Sequence, residues 1–191
     1  EKLNVRWLII GDDFRFGRGR EGDFALLQKL GQQYDFVVEE TPTFLLAEQR
    51  VGSSRVRTAL AQGDLQLAEQ LLGRKYSMSG HVVHGGKLGR QLGVPTVNLP
   101  LHGTKPPFTG IFVVQVRGLG EHVTSGVASL GIRPTVNGKE YLLEVHLFDF
   151  DREVYGHYLQ VEFLQKLRDE EKFDSLDALK VQMHKDIEMA K

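Results

Sequence analysis

The chain contains no cysteine, which removes disulfides, thiolate metal sites and a cysteine nucleophile from consideration. No apolar run approaches the roughly 20 residues that a membrane-spanning helix needs. Neither sign of charge is in excess: 24 Lys and Arg against 25 Asp and Glu leave a formal net charge of -1. That balance gives no prior for nucleic acid or an anionic membrane, although a local basic patch stays open. Internal repeats and low-complexity tracts are missing too. With 41% hydrophobic and 26% charged residues over 191 positions, disorder is excluded as a class, and one large domain or two small ones fit the length. The one excess is glycine, 21 residues against an average of about 7%. Glycine in that amount means many turns, or backbone brought close to a ligand.

The chain changes grammar midway. Val5 to Ile10, ending at Gly11-Asp12-Asp13, reads as a buried strand of a parallel sheet feeding a loop. Little precedes it, so it is either a sheet edge or the remainder of a longer domain, and the second reading is preferred. A helix follows from Asp23 to Leu30, ended by Gly31, then a strand over Phe36 to Glu39. Ser53-Ser54 opens a helix that Gly63-Asp64 divides, Asp64 capping the second half. Strand, helix, strand, helix is an α/β pattern. From Tyr76 to Phe163 short strands alternate with turn signals: 77–84, 111–116, 122–132 (ending at Pro134 and an Asn137-Gly138 turn), 141–148 and 158–163. That spacing predicts an antiparallel sandwich or closed barrel. An amphipathic helix capped by Asp174 or Ser175 closes the chain, with Leu176, Leu179, Met183 and Ile187 on one face. The boundary between the regions falls near residues 73–75, giving domains over 1–74 and 75–191.

The strongest local signal runs from Gly80 to Asn98. Leu88 follows the Gly86-Lys87 pair where a Walker A loop needs Ser or Thr, and no Gly-x-Gly opens a dinucleotide fingerprint. Even so, Gly85, Gly86, Gly89 and Gly93, with Lys87 and Arg90 among them, would let backbone N–H groups approach phosphate oxygens beside two cations. A flexible basic hairpin explains the same composition equally well. Thr96 and Asn98 share a side of an extended segment, so a hydroxyl and an amide oxygen converge as they would on Mg²⁺; a polar turn uses the same pair. Glu144 shares its strand face with Leu142 and His146. A carboxylate there suits a general base, or an outward-facing residue of a half-solvated sheet. His81 and His84 point to opposite faces and cannot chelate together, and Ser129 sits in no nucleophile elbow. In the first region, Asp13 and Phe14 follow a strand where α/β folds place ligand loops. Ser53, Ser54, Arg55 and Arg57 gather hydroxyls and guanidinium groups at a helix N-terminus, an end that favours anions. Each of these alone also reads as a cap or a solvated face.

Together the motifs resemble the bacterial bifunctional riboflavin kinase/FMN adenylyltransferase family over nearly the whole chain. The matching stretches are Gly11 to Gly17 with Gly22-Asp23, Ser53 to Arg57, Gly89 to Asn98, Ser129 to Thr135, Glu144 to Phe150, and Leu167 to Glu170 before Phe173-Asp174-Ser175. The resemblance implies an α+β chain: a six-stranded antiparallel β-barrel of riboflavin kinase type with a C-terminal helix, preceded by a partial α/β, Rossmann-like nucleotidyltransferase segment. It implies ATP and Mg²⁺ as co-substrate and cofactor, riboflavin as substrate and FMN as product. Glu144 matches the catalytic base and also touches the flavin. Thr96 and Asn98 match the holders of Mg²⁺ and the ATP phosphates; Gly80, Gly85, Gly86, Lys87, Gly89 and Arg90 match the flap over the nucleotide. Arg168 and the residues after it match a flap near the flavin. Val97 stands where the family usually has Ala, with little expected effect.

The first region resembles only the C-terminal part of the adenylyltransferase module, so FAD synthesis is not expected of the chain as given. Asp13, Phe14, Ser53, Ser54, Arg55 and Arg57 are the residues of that remnant. The partners implied are small molecules in a cytoplasmic setting, with no nucleic acid and no membrane; self-association through an incomplete N-terminal sheet is allowed. Two alternatives stay open: a non-catalytic flavin- or nucleotide-binding module on the same barrel, and a nucleic-acid-binding β-barrel.

Overall fold

The parallel strand expected at the start forms, but it is not buried. The computed structural model describes residues 4–101, 105–135 and 138–191, which fall into two compact units dividing between Val51 and Gly52. In the first unit β1 (Trp7–Gly11) pairs in parallel with β2 (Val37–Thr41). Trp7 and Ile9 are 58% and 60% exposed, and Ile10 alone in β1 is buried. A parallel strand is buried only when both its faces are covered, and α1 (Phe24–Tyr34) is the one long helix of this unit. Asp23 caps α1 by accepting the Leu26 N–H at 2.9 Å. The helix then runs through Gly31 to Asp35, which adopts the left-handed conformation with φ 57°. Gly31 was read above as a stop and is an interior residue instead. A Cβ there would lie 2.5 Å from the Phe36 carbonyl oxygen, so this glycine records a close approach of backbone. A small hairpin of β3 (Leu45–Leu46) and β4 (Gln49–Arg50) ends the unit.

The second unit begins with α2 (Ser53–Ala61) and α3 (Leu65–Leu72), joined at the Gly63-Asp64 break. Asp64 caps α3 through the Leu67 N–H at 2.9 Å, as expected. The strands that follow are β5 (Ser77–His81), β6 (Val97–Leu101), β7 (Gly110–Arg117), β8 (Thr124–Thr135), β9 (Gly138–Leu147) and β10 (Tyr158–Arg168). They form one antiparallel sheet in the order β5-β10-β7-β8-β9-β6. An isolated bridge brings its ends together: the Val83 N–H donates to the Asn98 carbonyl at 2.9 Å. The result is a nearly closed six-stranded barrel. The Asn137 half of the expected turn between β8 and β9 lies outside the described residues.

Alternation fills the barrel, because successive strand residues point to opposite faces. Phe112, Val114 and Val116 of β7, Ala128 and Leu130 of β8, Leu143 and Val145 of β9, and Leu159, Val161 and Phe163 of β10 point inward and are buried. Phe108, Phe112 and Phe163 pack with ring centroids 4.8 to 5.3 Å apart, within the range favoured by edge-on aromatic contacts. The outward positions between these residues are left for chemistry.

The sequence pattern does not announce β6 as a strand, since Pro95 and Pro100 flank and interrupt it. Pro100 is tolerated because β6 is the last strand of the hydrogen-bonded order, where a missing N–H costs least. The glycine-rich stretch, read as a loop, contains a short helix, α4 (Leu88–Gln91). The last helix, α5 (Leu176–Ala190), is capped by Ser175, whose hydroxyl accepts the Ala178 N–H at 3.1 Å. Leu176, placed on its apolar face by the sequence pattern, is 56% exposed; Leu179, Met183 and Ile187 are the residues that turn toward the barrel's outer surface.

Candidate functional site

Directly opposed residues in an antiparallel pair share a face, and the register of this barrel strings the chemistry along one transverse row. Arg168 of β10 opposes Ile111 of β7, Ile111 opposes Ser129 of β8, Ser129 opposes Glu144 of β9, and Glu144 opposes Asn98 of β6. All lie on the outer face, since their neighbours Phe112, Leu130, Leu143 and Leu99 are the inward ones. Arg168 reaches this row through two irregularities in β10, between Phe163 and Gln165 and between Lys166 and Arg168. In an unbroken ladder Lys166 would have opposed Ile111. Bulges of this kind re-aim side chains at sites.

The outer face is roofed by α5 and by residues 169–173, enclosing a cavity of about 320 Å³. Its apolar wall includes Ile111, Val127, Phe173 and Met183, and its polar groups include Ser129, Glu144, His146 and Glu170. An apolar cleft with a few convergent polar groups is the usual form of a small-molecule site. A second cavity of about 340 Å³ lies beside it, lined by Arg90, Pro95, Phe150, Arg152 and Tyr155. Thr96 lines both, which places this residue between them.

The segment before β6 is held by His146, whose Nδ1 donates to the Pro95 carbonyl at 2.9 Å. Asn98 is only 6% exposed. Its amide nitrogen donates to the Thr96 carbonyl at 3.3 Å, while its Oδ1 accepts no hydrogen bond from the described residues. A buried carbonyl oxygen without a donor costs about 1–3 kcal/mol. Gly85 lies directly against this amide, because a Cβ at Gly85 would come within 2.5 Å of it. The glycine stretch therefore approaches Asn98 as backbone. Gly89 is similarly confined, against the Val94 carbonyl. Gly80 belongs to β5 and packs over Leu99. Gly86, Lys87 and Arg90 are exposed, Lys87 with a left-handed φ of 57°. A hydroxyl at Thr96 and an orphaned amide oxygen at Asn98 are the hard oxygen donors that Mg²⁺ takes, so the residues present fit that ion.

Arg168 is held more firmly than its sequence position suggested. Its Nε and Nη2 donate to the two carboxylate oxygens of Asp186 at 2.9 and 2.7 Å. Gln182 donates to the same carboxylate at 2.9 Å. The Asp186 side chain is 4% exposed, and its hydrogen bonds raise the Arg168 pKa further above the ordinary guanidinium value. The Arg168 guanidinium also lies 5.8 Å from the Phe173 ring. Glu170 reaches back over β8, its carboxylate occupying the space where a side chain at residue 131 would be. Burial raises the Glu170 pKa.

Asp186 and Gln182 are not singled out by the sequence, and Ser129 and Glu170 stand there only within matching stretches, with no role of their own. Asp186 had a signal, a lone acid beside the apolar face of an amphipathic helix. Tertiary contacts put Glu170 and Ser129 on the wall of one cavity.

The adenylyltransferase-like residues lie elsewhere. Asp13 pairs with Arg50 at 2.9 Å, and the Arg50 guanidinium holds its carboxyl below the ordinary range. Phe14 stacks on Phe16. Ser53, Ser54, Arg55 and Arg57 occupy the first turns of α2 in the other unit, where Arg57 donates to the Ser53 hydroxyl at 3.3 Å.

Comparison with known proteins agrees with this geometry. Residues 72–191 match the riboflavin kinase family and residues 1–55 match the FAD synthetase family. The bifunctional riboflavin kinase/FMN adenylyltransferase of Haemophilus influenzae is 51% identical over 189 residues, covering 99% of this chain and 61% of that protein. The protein of the same name from Escherichia coli is 50% identical over 184 residues, covering 96% and 59%. The chain thus spans about three fifths of the length of these relatives. A crystal structure described as a macrolide-efflux protein from Streptococcus pneumoniae superposes with a TM-score of 0.72 at 35% identity, over 93% of this chain and 58% of that one. Among the described residues no helix is long and apolar enough to cross a membrane. From the register of the barrel, the two cavities meeting at Thr96 and the match over residues 72–191, the chain belongs to the riboflavin kinase family.

Proposed function

We propose that this chain phosphorylates riboflavin to FMN with ATP on the outer face of its barrel. The observation that carries the reading is the row Asn98–Glu144–Ser129, whose Glu144 and Ser129 line the cavity beneath α5, beside a second cavity that shares Thr96 with it. The cavity beneath α5 takes the flat, largely apolar flavin ring, and the neighbouring one takes the nucleotide, with Arg90 on its wall and the glycine stretch nearby. Gly80, Gly85, Gly86, Lys87, Gly89 and Arg90 serve the ATP side together with Thr96 and Asn98. Arg168 and Glu144 serve the flavin side.

In the reaction the riboflavin 5′-hydroxyl oxygen forms a bond to the γ-phosphorus, the bond from that phosphorus to the β–γ bridging oxygen breaks, and ADP leaves. Glu144 accepts the hydroxyl proton as the bond forms. Thr96 and Asn98 would hold Mg²⁺, which neutralises phosphate charge when bound. Phosphoryl transfer asks mainly for alignment and charge stabilisation, and a general base adds about 10²–10⁴-fold. The barrel supplies alignment, because these side chains stand on rigid, paired strands.

Functionally we divide the chain at residues 74 and 75, with Asp13, Phe14, Ser53, Ser54, Arg55 and Arg57 belonging to the adenylyltransferase-like part. A cytoplasmic setting belongs to the same reading. Incubation with riboflavin, ATP and Mg²⁺ followed by flavin chromatography tests it. FMN is the expected product, and unaltered riboflavin would favour a binding module.

A further inference from the structure

Asp186 lies on α5, remote in sequence from every motif, yet it is among the most buried charged side chains described. A carboxylate removed from water is costly unless it is paired and hydrogen-bonded. Asp186 is paired through a bidentate bond to Arg168 and a third bond from Gln182. Both Arg168 and Asp186 line the cavity beneath α5. The two-pronged geometry fixes the plane of the guanidinium as well as its position. Arg168 stands at one end of the row whose other end is Glu144 and Asn98. On the same helix, Leu179, Met183 and Ile187 recur at helical spacing and form part of the cavity wall.

We propose that Asp186 is a positioning residue for the flavin: it holds Arg168 at the end of the cavity opposite Glu144 and thereby sets where the ring comes to rest. The proposal rests on the riboflavin kinase reading above. Asp186 acts on the acceptor substrate through Arg168. Asp186 does not line the neighbouring cavity, which Thr96 and Arg90 do. Its loss should therefore appear in one substrate and not in the other. A helix-anchoring role alone would lower thermal stability without separating the two substrates.

The test uses the full chain. The substitution Asp186→Asn keeps the shape and removes the charge; Asp186→Glu keeps the charge and shifts the guanidinium by one methylene, and it serves where the first variant does not fold. Lys185→Gly is the control, because Lys185 is exposed on α5 and glycine weakens a helix without touching the pair. The readouts are KM for riboflavin, KM for ATP, melting temperature, and riboflavin binding by fluorescence quenching without ATP. The expected result is a tenfold or greater loss of riboflavin affinity in both readouts for the Asp186 variants, with KM for ATP within twofold. The control should lose melting temperature and keep its riboflavin affinity. Equal loss for both substrates, or the same riboflavin loss in the control, would overturn the positioning role. If the unaltered chain binds riboflavin but makes no FMN, the kinase reading fails; quenching by the variants still decides the positioning role.

Discussion

Asn98 and Glu144 face each other across the β6–β9 ladder, on the outer side of the barrel, one with an amide oxygen that no group among the described residues satisfies and the other on the cavity wall. Two rigid strands therefore present a hard oxygen donor and a candidate base as neighbours.

Replacing Glu144 by Ala should slow the chemical step by about 10²–10⁴-fold, the usual contribution of a positioned base. ATP affinity should stay within a few-fold. Single-turnover kinetics beside equilibrium nucleotide binding measure the two separately, and an unchanged chemical step would take Glu144 out of this role.

Replacing Asn98 by Ala separates function from stability. It removes one long hydrogen bond to the Thr96 carbonyl and also removes a buried orphan oxygen worth about 1–3 kcal/mol of penalty. The two effects oppose, so denaturant unfolding should shift by no more than about 1 kcal/mol. Activity should fall by at least a hundredfold, with a higher Mg²⁺ requirement. Large destabilisation with an unchanged Mg²⁺ titration would show that Asn98 is structural.

Glu170 predicts a pH dependence. Burial raises its pKa in the folded state above the ordinary carboxylate value, so the folded protein binds that proton more tightly than the unfolded chain. The stabilising contribution is complete below the unfolded pKa and is lost as pH rises through the folded one. Melting temperatures of Glu170→Gln and the parent chain should diverge as pH rises through that window, the variant gaining at the high end. Parallel curves would remove the burial of Glu170 as the cause.

Gly31→Ala tests the first unit. Alanine is favoured over glycine inside a helix by about 1 kcal/mol, but its Cβ would meet the Phe36 carbonyl at 2.5 Å, and overpacking costs about 1–3 kcal/mol. A net loss on the order of 1 kcal/mol is expected, read as faster amide exchange in α1. Slower exchange would mean that the backbone there yields easily.

Local chemistry was legible in the sequence wherever one residue decided the outcome. Asp64 announced its helix as a cap, the last helix was narrowed to Asp174 or Ser175, and alternation in residues 141–148 separated Glu144 from the face of Leu143 and Val145 that the barrel buries. What depends on pairing was not legible. Strand β6 hid behind its prolines, and the burial of β1 was overestimated because an apolar run does not say whether anything covers it. The two bulges that swing Arg168 into the row, and the Asp186 that holds it, arise only when β10 and α5 meet.

Transfer of phosphate to riboflavin by the barrel is the reaction on which every role proposed above depends. Incubating the chain with riboflavin and ATP labelled at the γ-phosphate, with Mg²⁺, measures this directly. Label appearing in FMN, and disappearing in Glu144→Ala, is the predicted result. Riboflavin recovered unlabelled, while still bound tightly in the cavity beneath α5, would contradict it.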